Sequence, residues 1–454
     1  MYFLYSVLLS VGVTALLPRF MFDAVRHGKY AAGFRERLGG LLSINDSGEP
    51  VIWLHCVSVG ETQAARPLVR ALLERFPTHR LVVSTTTLTG QRVAREAFGG
   101  TVAAVFYFPF DWATTVRRSL RAIKPSLVLV LETELWPRFL RECRAQGVPV
   151  AIVNGRISEI SFRRYRIINR FIKRVVNDLA LAVMQTEADA ARINALGLAR
   201  ERVVVSGNIK FDAGEIEVDR SLSDELRERF RVDERRPLIV AASTHAPEER
   251  VLLAAFQQIR AAADNFHPRL LIAPRHPERF GEVASLLEGS GLRWARRTGP
   301  PCVADSDCEA ILLDTVGELR AVYPLAEIVF VGGSIARIGG HNILEPAGAS
   351  KCVVTGAHTA NFTSIVEAFL ARDALVQLSP VAVADAPVAL ARMLADLLSD
   401  GARRRRVGEN AFRALQQNRG ATARTIELLA PLITQPPETA DALLAKQAVS
   451  TSDL

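Results

Sequence analysis

From Val51 onward the chain alternates short apolar runs with longer stretches in which apolar residues return every three or four positions. Unbroken runs rich in Val, Ile and Leu, without polar alternation, read as strands buried on both faces of a parallel sheet. They predict strands over Val51–Cys56, Leu81–Thr86, Val102–Phe108, Ser126–Leu131, Val148–Val153, Leu179–Gln185 and Val203–Ser206, with amphipathic helices such as Ala64–Arg75 and Trp112–Ile123 between them. The charged stretch Asp212–Pro237 breaks the pattern and reads as an interdomain connection. A second series follows at Leu238–Ser243, Leu270–Ala273, Ala310–Leu313, Ile328–Val331, Cys352–Thr355 and Leu375–Leu378, then helices Pro387–Leu398 and Arg403–Gln417. Regular strand–helix alternation predicts an α/β class with two doubly wound, Rossmann-like domains. Such halves face a cleft at the carboxyl ends of their strands, where ligands bind.

The N-terminus departs from this pattern. Tyr2–Leu17 is uncharged and strongly apolar, and Arg19, Arg26, Lys29, Arg35 and Arg37 crowd the segment after it. No basic residues precede the run and no small-residue cleavage site follows it, which argues against a cleaved signal peptide. The run is slightly short for a full span, for which about 20 residues is usual. Positive charge on its far side favours a body on the cytoplasmic face, anchored by its N-terminus; the alternative is the buried first helix of a soluble domain. The expected layout is an anchor over 1–22, a first domain over 23–211, a linker over 212–236, a second domain over 237–432 and a poorly ordered tail over 433–454.

At 454 residues the chain suits two domains. Five scattered cysteines, with no CxxC and no Cys/His cluster at zinc spacing, point to a reducing compartment and no structural metal. A net charge of +8 implies an anionic partner. Helix Phe162–Val176 sets Arg163, Arg164, Arg166, Arg170, Lys173 and Arg174 among Ile167, Ile168, Phe171 and Ile172. That is either a solvated face or a surface for anionic lipid headgroups. No nucleic-acid motif accompanies it.

Candidate chemistry gathers at strand ends. After Ile328–Val331 comes Gly332-Gly333-Ser334-Ile335, running on to Gly339-Gly340-His341-Asn342-Ile343-Leu344-Glu345-Pro346. A strand, a glycine loop and a helix start point free N–H groups and a positive dipole end at one spot, which suits a phosphate. Asn342 is placed to cap the helix and Glu345 to accept from ribose hydroxyls. A plain strand-to-helix connection with a glycine hinge is the alternative. After Val51–Cys56, Ser58 and Glu61 form an S-x-x-E arrangement. It reads as a capping box, or it makes Glu61 a general base facing the cleft, and a fully engaged capping carboxylate would be a poor base. Glu132 and Glu134, just before Pro137, suit a helix start or the holding of sugar hydroxyls. Asn208 and Lys210 close the first domain. In the second, Arg275 can clamp a phosphate and His276 is a base or a structural residue. Asp314–Leu319 offers backbone contacts to a base or ribose, and His358 and Asn361 repeat the strand-end, glycine and N-cap pattern.

Together these motifs resemble the bacterial 3-deoxy-D-manno-octulosonic acid (Kdo) transferases of lipopolysaccharide biosynthesis. The likeness rests on HCVSVGET (His55–Thr62), ETELWP (Glu132–Pro137), SGNIKFD (Ser206–Asp212), PRHPERF (Pro274–Phe280), DTVGEL (Asp314–Leu319), GGSIARIGGHNILEP (Gly332–Pro346) and GAHTANF (Gly356–Phe362). It runs from the N-terminus to about Ala430. It implies a GT-B glycosyltransferase fold and CMP-Kdo as donor substrate, with no cofactor and no metal. A lipid A precursor such as lipid IVA is the implied acceptor, at the cytoplasmic side of the inner membrane. It implies Glu61 as catalytic base. CMP contacts are implied at Pro274, Arg275, Val316, Gly317, Glu318, Asn342, Ile343, Leu344 and Glu345. Ser58, Gly60, Glu132, Glu134 and Lys210 remain candidate substrate contacts. Ala357, Ala360 and Ile343 stand where the family pattern favours Pro, an aromatic residue and Pro, which touches loop shape more than chemistry. A sugar-nucleotide epimerase, another GT-B lipid-linked glycosyltransferase and a non-catalytic lectin-like module are the alternatives.

Overall fold

The computed structural model describes residues 1–27, 33–41, 48–214, 219–233, 235–262 and 267–434; the side chains of Arg19 and Arg26, Lys29, and the tail from Gln435 onward lie outside the described residues. The chain divides into two compact units. One comprises Met1–Ala213 together with the segment from Arg419, and the other Gly214–Asn418.

The first unit is built on β1 (Val51–Cys56), β2 (Arg80–Thr85), β3 (Ala104–Tyr107), β4 (Pro125–Leu131), β5 (Val150–Gly155), β6 (Leu181–Met184) and β7 (Val203–Val205). They pair in the order β3-β2-β1-β4-β5-β6-β7, every pair parallel. The central strands are buried end to end, as their unbroken apolar sequences require. Trp53 packs into Phe106, Phe108 and Phe139 beneath one face. The second unit holds β8 (Leu238–Thr244), β9 (Arg269–Pro274), β10 (Trp294–Arg296), β11 (Ala310–Leu312), β12 (Ile328–Val331), β13 (Cys352–Thr355) and β14 (Val376–Gln377). Its order is β10-β11-β9-β8-β12-β13-β14, again all parallel. In each sheet the winding reverses beside the first strand, between β1 and β4 and between β8 and β12. Connections leave that point for opposite faces, so a crevice opens at the carboxyl ends of those strands.

Four expectations differ from the structure. The charged Asp212–Pro237 stretch contains helix Arg220–Arg229, which belongs to the second unit: buried Leu226 packs inward and Ser223 donates to the carbonyl of Ala321 at 2.7 Å. The basic Phe162–Val176 segment is two helices, Glu159–Ile167 and Asn169–Val176, broken at Ile168. β10 had no expected counterpart. Helix Ala421–Thr434, expected with the second domain, returns to the first unit. There Asp212 accepts from the N–H groups of Gly420 and Thr422 at 2.7 and 2.6 Å, and Ile426 and Leu429 join the core beside β4.

The first helix spans Tyr2–His27. One side is docked. The Tyr2 hydroxyl donates to Asp178 and that of Tyr5 to Asp111 at 2.8 Å, both rings lie against Phe171, and Trp112 donates to the Ser10 hydroxyl at 3.1 Å. The other side leaves Phe3 at 78 % exposure and Leu8 at 62 %, with Leu4, Val7 and Val11 exposed between and beyond them. Among the described residues no helix is long and apolar enough to cross a membrane. Arg37, grouped with the membrane-facing charges in the sequence, is committed to the fold: it donates to the carbonyl of Thr86 at 2.6 Å and lies over the Tyr107 ring.

Candidate active site

At the β1/β4 crevice, helix Val59–Ala64 starts directly after β1 and is capped by Ser58, whose Oγ accepts from the N–H of Glu61 at 3.4 Å. The Glu61 carboxylate turns back, accepting from the Val57 N–H at 2.8 Å and the Ser58 hydroxyl at 2.9 Å. The cap therefore forms, and Glu61 is fixed by it at 7 % exposure. This engagement does not make the carboxyl a strong acid. Burial, the largest influence, pushes Glu61 up to about 7, with Glu132 and Glu134 adding to the rise against the two hydrogen bonds. Cap and base are compatible. Gly60 is exposed, and a β-carbon there would come no nearer to a neighbour than 3.9 Å, from the Ser58 hydroxyl.

Glu132 follows β4 in a left-handed conformation with φ 56°, which a non-glycine residue adopts at a cost of about 1–3 kcal/mol. Its N–H donates to Val153 at 2.9 Å and its carboxylate receives Lys210 Nζ at 2.9 Å. Lys210 is itself placed by asparagines: its N–H donates to Asn208 at 3.0 Å, and the preceding N–H of Ile209 donates to Asn154 at 3.1 Å. Glu134 is pushed up by burial and by Glu132. Five sequence candidates, Ser58, Gly60, Glu61, Glu132 and Glu134, thus sit at the carboxyl ends of the central strands β1 and β4, with Lys210 paired to Glu132. Asn154 was not a candidate; it reaches the site from the end of β5, a strand that reads in sequence as plain core. His55, inside the same motif, stacks on Phe108 in the core and is held neutral, at about 3, by burial.

In the second unit the glycine loop does not offer all the free donors expected of it. The carboxylate of Glu248, from the start of helix Glu248–Ala262, fills its first half. Glu248 accepts from Gly333 at 2.8 Å, Ser334 at 2.9 Å, Ile335 at 2.8 Å and Ala336 at 3.2 Å, and from His245 at 3.0 Å. An internal anion already occupies that nest. The second half turns through Gly339 and Gly340, with φ 104° and 77°, and is braced by Asn361, whose side chain donates to the carbonyls of Ile338 and Gly340. Asn342 is not the N-cap expected of it: Ile343 holds that position without a side-chain hydrogen bond, and Asn342, one residue earlier, accepts from the Leu344 N–H at 3.0 Å; the helix begins at Leu344 and is five residues long. Ile343 and Leu344 are buried as whole residues, at 1 % exposure each, while Asn342 and Glu345 on either side are partly exposed. Glu345 receives Arg320 at 3.1 Å, and Glu318 is held by Arg297 at 2.8 Å. Val316 is 80 % exposed beside Gly317. Pro274 ends β9, and Arg275 after it extends its side chain into solvent while its N–H donates to Thr244 at 3.0 Å. Arg275 and the Asn342–Glu345 turn therefore follow β9 and β12, the strands that flank β8. Two histidines that sequence spacing did not pair, His245 and His341, meet there with Nε2 atoms 2.8 Å apart.

Residues 32–213 match the family model described as 3-deoxy-D-manno-octulosonic-acid transferase (kdotransferase). The chain is 33 % identical over 431 residues to the 3-deoxy-D-manno-octulosonic acid transferase of Haemophilus influenzae, covering 95 % of this chain and 98 % of that one. It is 35 % identical over 384 residues to the enzyme of the same name from Bordetella pertussis, covering 83 % and 86 %. Among solved structures, the UDP-GlcNAc 2-epimerase of Neisseria meningitidis superposes with a TM-score of 0.54 at 12 % identity over 84 % of this chain and all of that one. The MurG protein of Acinetobacter baumannii gives 0.52 at 11 % identity over 84 % and 99 %. These likenesses show the fold alone: two parallel-sheet α/β domains resembling GT-B glycosyltransferases. With its relatives aligned over nearly its whole length, the chain belongs to the 3-deoxy-D-manno-octulosonic acid transferase family of enzymes.

Proposed function

We propose that the chain moves Kdo from CMP-Kdo to a lipid A precursor, lipid IVA, with Glu61 as general base and without a metal or cofactor. The observation that carries this reading is the buried Glu61 carboxyl, oriented by Val57 and Ser58 and poised near 7 beside Glu132, Glu134 and Lys210. A carboxylate of that basicity can take the proton of a sugar hydroxyl as its oxygen attacks the anomeric carbon and CMP leaves. Lys210 and the two other carboxylates suit the phosphate and hydroxyl groups of the acceptor. On the donor side, Arg275 and the Asn342–Glu345 turn suit the CMP phosphate, where they would stabilise the charge of the leaving group. The backbone around Val316–Glu318 suits the nucleoside.

The exposed apolar side of helix Tyr2–His27 supports a seat on the cytoplasmic surface of the inner membrane, with the helix lying in that surface. Ile160, Ile167 and Ile168 are exposed among Arg163, Arg164, Arg166 and Arg170 near the same helix, which suits anionic headgroups. Incubation with CMP-Kdo and lipid IVA, read by mass spectrometry of the lipid, tests the reading. Kdo added to the lipid is expected in the presence of a chelator. Unmodified lipid, or turnover of UDP-GlcNAc to its epimer, would remove it.

A further inference from the structure

His245 follows β8 and His341 lies in the loop after β12, so the pair spans the switch point of the second sheet. Their rings are nearly coplanar, tilted by 13°, and meet edge to edge at the 2.8 Å Nε2–Nε2 contact. Two imidazole nitrogens approach so closely only when one carries a hydrogen and the other a lone pair. One ring is therefore the Nε2–H donor, and the other is protonated at Nδ1. The surroundings are built to hold this contact. Gly333 sits at φ 68°, and a β-carbon there would press within 2.9 Å of Cδ2 and Nε2 of His341. The His245 N–H is tied to Glu248, and the His276 ring stands edge-on against His245 with centroids 5.2 Å apart.

The charges facing the pair are mostly positive. Burial first, then His276, Arg279 and Arg275, lower His245, while Glu249, itself paired with Arg279 at 2.6 Å, opposes them. Burial, His245, Arg275 and His276 lower His341 to about 4. Both rings are therefore neutral near pH 7, held so first by burial and then by a positive surround, and an arriving anion would cancel the second of these.

We propose that His245 and His341 form a proton-linked pair that takes up one proton when an anionic phosphate docks beside Arg275. This rests on the reading that the second unit binds the CMP moiety. The proton comes from solvent and adds to the remaining bare nitrogen, Nδ1 of the donor ring; the N–H···N bond survives and becomes charge-assisted. Anion binding and proton binding then favour each other, so the pair contributes more to CMP affinity as pH falls below neutrality, until it reaches the range, beneath the ordinary histidine value of 6.5, where the free pair is already protonated.

Calorimetry of CMP binding, repeated in buffers of different ionisation enthalpy, counts the protons taken up. The comparison is between the parent and His245→Gln and His341→Gln, whose amides keep a hydrogen-bonding group near Nε2 but cannot be protonated. Melting temperatures establish that each variant is folded. CMP's own phosphate titrates near pH 6, and that contribution cancels in the difference. The parent is expected to take up to about one proton more per CMP than either variant at about pH 6, the excess shrinking towards pH 8. Equal uptake by parent and a folded variant overturns the pair's role and leaves the donor reading intact. A folded parent that fails to bind CMP overturns the donor reading and the pair's role with it.

Discussion

Glu61 shows how one side chain can serve both structure and chemistry. Its helix start needs a carboxylate to satisfy Val57 N–H, and its burial makes that same carboxylate reluctant to ionise. As a base it must be ionised, so transfer should rise with pH through about 7, and Glu61→Gln should lower the rate by about 10²–10⁴-fold. Stability should run the other way. The folded-state value lies above the ordinary 4.5, so the protonated form favours folding; that contribution is complete below 4.5 and is lost as pH rises through about 7. Glutamine imitates the protonated acid. Glu61→Gln should therefore melt at or above the parent at about pH 8, by an amount bounded at roughly 3 kcal/mol, and the gap should close below about pH 5. Melting curves that stay parallel across this range would show that burial does not shift Glu61. The S-x-x-E spacing made the cap legible. The shift was not, because it depends first on how deeply the fold buries the carboxyl and then on Glu132 and Glu134, some seventy residues away and brought alongside by β4.

At the scale of elements, strands read well and the partners of loops did not. β1, β12 and β13 match the expected runs residue for residue, since a strand buried on both faces is apolar at nearly every position, His55 of β1 and Thr355 of β13 aside. β10, with three residues at the sheet's edge, is too short to leave a pattern. Helix Arg220–Arg229 read as a linker because its wide charged face outweighs the narrow stripe at Ser223 and Leu226. The glycine loop was legible as an anion nest, but its anion, Glu248, comes from the start of another helix and was not among the sequence candidates. Glu248→Ala should leave the N–H groups of Gly333, Ser334, Ile335 and Ala336 without their acceptor and destabilise the second unit by about 2–4 kcal/mol. Glu248→Gln should fare little better. Its amide would turn an NH₂ either towards Gly333 and His245 or towards the other three donors. Inorganic phosphate should raise the melting temperature of Glu248→Ala more than that of the parent, by entering the vacated nest. A parent-like melt for both variants would return the loop to the free phosphate site that the glycines suggested.

For the molecule as a whole, the apolar N-terminus was legible as unusual, and its dual character was not. Periodicity within Tyr2–Leu17 is masked because both sides of the helix are apolar; Tyr2 and Tyr5 are distinguished by Asp178 and Asp111, partners more than a hundred residues away. The docked side makes removal of the whole segment an ambiguous test, since truncation would take away those hydrogen bonds along with the exposed surface. Substitution on the exposed side separates the two. Leu4→Asp with Leu8→Asp should leave the melting temperature close to the parent's, because both side chains project into solvent. It should also weaken binding to vesicles containing anionic lipid by at least about tenfold, since one leucine buried in an apolar phase is worth about 1.5–3 kcal/mol. The binding that survives should depend on Arg163, Arg164, Arg166 and Arg170 and should fade as salt shortens the screening length below about 8 Å. Transfer to vesicle-borne acceptor should fall with vesicle binding, while CMP affinity stays at the parent's value. Vesicle binding equal to the parent's in the doubly substituted protein would mean that this helix face does not meet the membrane.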